Sequence, residues 1–267
     1  MPVITRTDHD AVATLVLTRP PVNALDSEAL DAVGAAIEQV ESDPHVRVVV
    51  LASGVESVFC AGGDLKFWRR FPAGMARNVS GAGRNVFERI ERLRQPTIAA
   101  IEGHVIGDGL ALALAADLRI ASEAATFRVP EAEYGFIPGW GVPGRLRRQM
   151  GQALALEMLL TGAPIAASRA HVLGLVTQVV PPGQALAAAS RMAGALARKS
   201  PLALTWSKRV IRGAPAVGGG DDREWEEECF GHVWGSEDWQ EGIEALLSRR
   251  APVFGDRGAD RAQGGRR

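Results

Sequence analysis

Phe59-Cys60-Ala61-Gly62-Gly63-Asp64-Leu65-Lys66 and, further along, Gly103-His104-Val105-Ile106-Gly107-Asp108-Gly109-Leu110 decide how this chain is read. Each stretch passes from a β-rich apolar run into a glycine turn and then into helix-forming sequence. Turns of this kind leave backbone N–H groups unpaired at a helix start, aimed at whatever sits in front of them. Two such turns facing one another can hold a single carbonyl oxygen as it gains negative charge, and glycine lets the backbone approach closely. Taken singly, either stretch reads equally as an ordinary strand-to-helix turn of an α/β domain.

Working outward, Ala11–Thr18 alternates apolar with small or polar residues as a strand does. Ser27–Val40 has helical spacing, with Asp26 as N-cap and Pro44 beyond the end. Apart from Arg47, Val46–Leu51 is an apolar, mostly β-branched run that suits a strand buried on both faces. Thr97–Ile101 repeats that pattern and Leu118–Ala121 is a shorter version. Strands alternating with helices favour an α/β layout with short crossovers. Between Phe67 and Arg84 the periodicity fails at Pro72, Gly74, Gly81 and Gly83, which reads as a loop. From Pro201 onward the sequence turns helical, and Trp206, Trp225, Trp234 and Trp239 suit core or subunit contact better than a site.

The bulk properties exclude several function classes. With 267 residues the chain is long enough for a sizeable core. A net charge of −1 gives no electrostatic case for nucleic acid or an anionic membrane. Cys60 and Cys229 are the only cysteines, too few for a disulfide framework and without metal-site spacing. Met1–Asp8 lacks the plan of a signal peptide, and no apolar run approaches the ~18 residues of a membrane span. The expectation is a cytoplasmic protein. Residues 255–267 have no apolar anchor and are predicted to be disordered.

Further landmarks fall in order around the two turns: Arg19-Pro20-Pro21-Val22-Asn23-Ala24-Leu25, Phe127-Arg128-Val129-Pro130-Glu131, Ile137-Pro138-Gly139, Leu159-Leu160-Thr161-Gly162 and Ala170-His171-Val172-Leu173-Gly174-Leu175-Val176. Together they resemble the crotonase (enoyl-CoA hydratase/isomerase) superfamily from about Val3 to Phe254. The resemblance implies a spiral of ββα units over residues 1–200 that binds acyl-CoA. It implies a helical region over 201–254 that assembles trimers or hexamers. The segment from Phe67 to Arg84 then becomes a mobile lid over the acyl group. Coenzyme A enters as part of the substrate thioester, with no separate cofactor and no metal.

By family position the main-chain amides of Gly63 and Asp108 hold the thioester oxygen, and Glu131 is the carboxylate that moves protons. Ala24, Ala61, Lys66 and Lys208 correspond to the coenzyme track. Gly139 and Trp140 correspond to the acyl-CoA substrate site, where a bulky ring narrows the acyl pocket, stacks on an unsaturated substrate or packs between helices. Asp108 stands where the family usually has glycine; its side chain either caps the following helix, the favoured reading, or replaces a lost carboxylate. That loss is the main departure, because hydratases of this family carry a second glutamate at the position of Ala111. A single glutamate still shuttles one proton between two carbons, which leans toward isomerase chemistry. A non-catalytic acyl-CoA binder, or a decarboxylase or retro-aldol lyase, are the alternatives. Lyases of the hydroxycinnamoyl-CoA type add a tyrosine from the C-terminal helices, and the only tyrosine here is Tyr134. Glu133 reads as a solvated charge, Asp64 as a helix cap, His104 as a packed side chain and Cys60 as a small buried filler.

Overall fold

A computed structural model describes residues 2–213 and 222–255. The strand and helix signals materialise as a repeated β–β–α step. Strands β1 (Ile4–His9) and β2 (Val12–Leu17) lead into helix α1 (Ser27–Ser42). Strands β3 (Val48–Ser53) and β4 (Val58–Cys60) lead into the short α2 (Leu65–Trp68) and then α3 (Ala76–Arg92). Strands β5 (Thr97–Ile101) and β6 (His104–Ile106) lead into α4 (Gly109–Ala115). Strands β7 (Leu118–Ser122) and β8 (Thr126–Arg128) lead into a 3-10 turn (Glu131–Tyr134) and α5 (Val142–Thr161). The core closes with β9 (Ile165–Ala166), α6 (Ala167–Val172), β10 (Gln178–Val180) and α7 (Ala185–Ala197). Helices α8 (Pro201–Arg212), α9 (Asp222–Val233) and α10 (Glu237–Leu247) follow.

In the central steps the first strand joins one sheet, ordered β1-β2-β3-β5-β7-β10, and the second strand joins another, ordered β4-β6-β8-β9. This is the spiral of ββα units. Its consequence for function is positional: β4 and β6 are parallel neighbours, with Val58 opposite His104 and Cys60 opposite Val105. The turns leaving their C-terminal ends therefore emerge side by side.

Strand β3 shows why the apolar run is continuous. Val49 and Leu51 face a large core containing α1, while Val48, Val50 and Ala52 face α7 on the other side of the sheet. A strand sandwiched between two helical layers has no solvent face and needs no polar alternation. Helix α4 is buried at every residue, as its unbroken Gly-Leu-Ala-Leu-Ala-Leu-Ala sequence requires. Asp26 caps α1 by accepting a hydrogen bond from the Ala29 N–H at 3.0 Å.

The irregular segment after Phe67 departs from expectation. Helix α3 begins at Ala76 and runs straight through Gly81 and Gly83. A Cβ on Gly83 would collide with the indole of Trp140, so the glycine that breaks the sequence pattern is what admits a distant ring against the helix. Helices α8 and α9 share a small core of Leu202, Trp206 and Cys229, with Trp206 stacked on His232 at 3.8 Å. Among the described residues no helix is long and apolar enough to cross a membrane. Beyond Gly255 the tail expected to be disordered lies outside the described residues.

Candidate active site

The turn after β4 is pinned from below. Leu25 donates its N–H to the Gly62 carbonyl at 2.7 Å and accepts from the Asp64 N–H at 2.8 Å, forming a parallel bridge opposite Gly63. In that pattern the Gly63 N–H points away from Leu25, and it has no acceptor among the described residues. Asn23, fully buried at a left-handed φ of 52°, ties the underlying loop together. Its amide donates to the Leu17 carbonyl, Ser53 Oγ and the Phe59 carbonyl, and its oxygen accepts from the Arg19 N–H. Asp64 caps α2 as expected, accepting from the Lys66 and Phe67 amides at 3.0 and 3.1 Å.

The turn after β6 docks against it. Gly62 (φ +85°) lies so close that an added Cβ would stand 2.8 Å from the Asp108 nitrogen and 3.0 Å from the Ile106 carbonyl oxygen. A Cβ on Gly109 would collide with the Cys60 carbonyl. Glycine is required at both contacts because the two backbones touch.

Glu131 opens the 3-10 turn after Pro130 and is 4 % exposed. Its carboxylate sits against Gly107 (φ +55°), where a Cβ would collide with Oε1, and Oε2 has no hydrogen-bond partner. Burial pushes its carboxyl up to about 7, and the Asp108 charge pushes the same way. The Asp108 N–H and the residue's own N–H favour the ionised form but are outweighed.

Asp108 corrects the capping expectation. Its side chain makes no cap on α4. Instead Oδ1 accepts from the Gly139 N–H at 2.7 Å, across 31 positions of sequence. Burial raises this carboxyl to about 6 despite the Gly139 bond. Ala111, where the family's second glutamate would stand, is fully buried.

Gly139 and Trp140 help to frame the pocket expected there. Gly139 uses its N–H for Asp108 and its carbonyl for the Val142 N–H at 3.0 Å. Trp140 is 2 % exposed at φ 48° and donates Nε1–H to the Val79 carbonyl at 2.9 Å. Its far edge and Trp68 flank Gly63: a Cβ there would lie 3.4 Å from Trp140 Cη2 and 3.2 Å from Trp68 Cδ1. The two indoles meet edge to face at 6.0 Å. Trp68 went unnoticed in the sequence, although an indole five positions after a glycine turn, whose Nε1–H reaches back to the Leu25 carbonyl at 2.7 Å, was a usable signal.

The other expected coenzyme residues divide. Lys66 is exposed on α2 and makes no side-chain bond to a described residue. Ala61 spends its N–H on the Val22 carbonyl, leaving its own carbonyl, whereas the Ala24 carbonyl is taken by Arg19 at 2.7 Å. Lys208 is corrected: its ammonium is buried, 2.8 Å from Asp117 and 3.0 Å from the Gln95 carbonyl, within a network that includes Arg212 and Glu91. Burial lowers its pKa, opposed by the Asp117 charge, and no free cation is left there for a phosphate. Glu133 is exposed, as expected, and also pairs with Arg128 at 2.5 Å. His104 is exposed, with Nδ1 2.7 Å from Thr126 Oγ1. The Cys60 thiol is buried and pushed up to about 12, consistent with a filler.

These features have counterparts in known proteins. Residues 7–257 match the family described as enoyl-CoA hydratase/isomerase. The chain is 38 % identical to the probable mitochondrial enoyl-CoA hydratase 2 of Arabidopsis thaliana over 89 % of this chain and 79 % of that one. It is 33 % identical to the crotonyl-CoA hydratase of Syntrophomonas wolfei over 92 % and 95 %. The crystal structure of an enoyl-CoA hydratase from Geobacillus kaustophilus superposes with a TM-score of 0.90 at 30 % identity, covering 96 % of this chain and 97 % of that one. The chain is a member of the enoyl-CoA hydratase/isomerase family, with the crotonase fold.

Proposed function

We propose that this enzyme binds an acyl-CoA thioester with its carbonyl oxygen between the amides of Gly63 and Asp108, and that Glu131 transfers the proton at the α-carbon. The observation that carries the reading is the Glu131 carboxylate, buried against the Gly107–Asp108 turn with one oxygen unpartnered and its pKa raised to about 7. A group poised near neutrality accepts and returns a proton with little thermodynamic bias. Two N–H donors on the forming enolate oxygen supply several kcal/mol of selective stabilisation. The helices behind them have four and seven residues, so the donors act as local amides rather than through a long dipole.

The carbonyl end of the acyl group then lies beside Trp68 and Trp140. Lys66, exposed on α2, is a cation available to the coenzyme phosphates. A panel of saturated, α,β-unsaturated and β,γ-unsaturated acyl-CoAs, analysed by mass spectrometry and by α-hydrogen exchange in D2O, tests the reading. Exchange, isomerisation or hydration that disappears in Glu131→Gln supports it. Tight acyl-CoA binding without turnover of any thioester would make the protein a binder instead.

A further inference from the structure

Asp108 is left over by that mechanism, which uses its amide and ignores its side chain. The carboxylate is held on one oxygen only. Oδ1 accepts from the Gly139 N–H, while Oδ2 has no partner among the described residues. Its anchor fixes it at the site: Gly139 immediately precedes Trp140, whose indole edge borders Gly63. Neither Asp108 nor Glu131 forms an ion pair with a described residue. The groups shown to feel the Asp108 charge are the buried Cys60 thiol of β4 and Glu131.

We propose that the Asp108 carboxylate is the second proton-transfer group of this active site, doing from the turn itself what the absent carboxylate at Ala111 does not do, and that the enzyme thereby adds water to an α,β-unsaturated acyl-CoA. The inference rests on the enolate reading above. In the forward direction Asp108 takes one proton from a water whose oxygen bonds to the β-carbon. The π electrons of the double bond move onto the thioester, forming the enolate held by the Gly63 and Asp108 amides. Protonated Glu131 then delivers its proton to the α-carbon, and the enolate pair forms the new C–H bond. One water is added, one proton sits on Asp108 and one has left Glu131; transfer through solvent resets both.

The environments suit proton transfer by both groups: burial raises both carboxyls toward neutrality, and the Asp108 charge adds to the rise at Glu131.

The test is Asp108→Asn, which keeps the backbone amide and an oxygen for Gly139 but cannot accept a proton from water. Three readouts are needed: hydration of a short α,β-enoyl-CoA, α-hydrogen exchange of a saturated acyl-CoA in D2O, and acyl-CoA binding. Hydration is expected to fall by about 10² or more, with exchange falling far less than hydration and acyl-CoA still bound. The rising limb of kcat/KM near pH 6 should vanish from the residual activity, and Asp108→Glu should recover part of the hydration. Hydration by Asp108→Asn within threefold of wild type overturns the proposal. So does a parallel loss of exchange and hydration, which would mean that the side chain only shapes the turn. Wild-type protein that neither exchanges nor hydrates overturns the enolate reading itself, and this inference with it.

Discussion

The two glycine turns are the same local solution used twice, and they differ in what their aspartates do. After β4, Asp64 folds back onto its own helix and accepts from Lys66 and Phe67. After β6, Asp108 leaves its own helix uncapped and reaches across to Gly139. The first turn is self-contained, and the second is completed by another part of the chain. Helix α2 is short and carries exposed residues, so local capping is what holds it. Helix α4 is buried on every side and is fixed by packing, which frees its leading aspartate for another task.

The largest effect should come from the partner of the second turn. Glu131→Gln should lower turnover by ~10³ or more while leaving acyl-CoA affinity nearly intact, because the amide keeps the shape but cannot take the proton. The loss belongs in kcat, measured beside a binding titration. Full activity would move attention to Asp108 as the sole base.

In the first turn the comparable change is Gly63→Pro. The N–H it removes has no protein partner, so the bridge through Gly62 and Asp64 should survive. If Gly63 is an oxyanion donor as proposed, turnover should fall by ~10²–10³, with some added strain on Gly62 before the proline. An active, folded variant would show that this turn does not face the thioester.

How far the site was legible follows the same division. Everything held by neighbours in sequence could be read: the strand runs, the caps at Asp26 and Asp64, and the order of turn and helix. What depended on distant partners could not. Gly81 and Gly83 look like breakers because Trp140, which fills the space over Gly83, lies far along the chain. Asp108 looks like a cap because its partner is Gly139, 31 positions away. Lys208 looks like a free cation until Asp117 is placed beside it. Local chemistry gives the frame; tertiary contact decides which polar groups remain available to a substrate.

Paired glycine substitutions sharpen the contrast further. Both Gly62 and Gly107 have positive φ, so alanine costs each variant roughly 1–2 kcal/mol of backbone strain. At Gly62 the new Cβ also meets backbone, the Asp108 nitrogen at 2.8 Å, which cannot move without shifting the second turn. At Gly107 it meets the end of the Glu131 side chain, which can swing away. Gly62→Ala should therefore lose more stability in thermal or denaturant unfolding. Gly107→Ala should lose more activity per unit of stability, because the displaced group is the proposed base. Equal ratios in the two variants would contradict the assigned contacts.

The smallest effect is also the one whose sign separates the two aspartates. Burial raises the Asp64 carboxyl, but the Phe67 amide, Arg19 and the Lys66 amide outweigh it and hold the group below its usual value. Its contribution is present above the unfolded-state pKa and is lost as pH falls through the folded value. Asp108 has the opposite linkage: burial raises it from 3.8 to about 6, so the folded protein holds this proton more tightly than the unfolded chain. Its contribution is complete below pH 3.8 and is lost as pH rises from there to about 6. Allowing for screening by the solvent that reaches this half-buried side chain, the Asp108 effect is on the order of 1–2 kcal/mol. Asp108→Asn should flatten the decline in stability between pH 4 and 6, and Asp64→Asn should leave that window unchanged while altering the acid side. Denaturant midpoints taken across the pH range for wild type and both variants measure this. If the two substitutions alter the same pH window, Asp108 sits in the same kind of environment as Asp64, and its carboxylate is a cap after all.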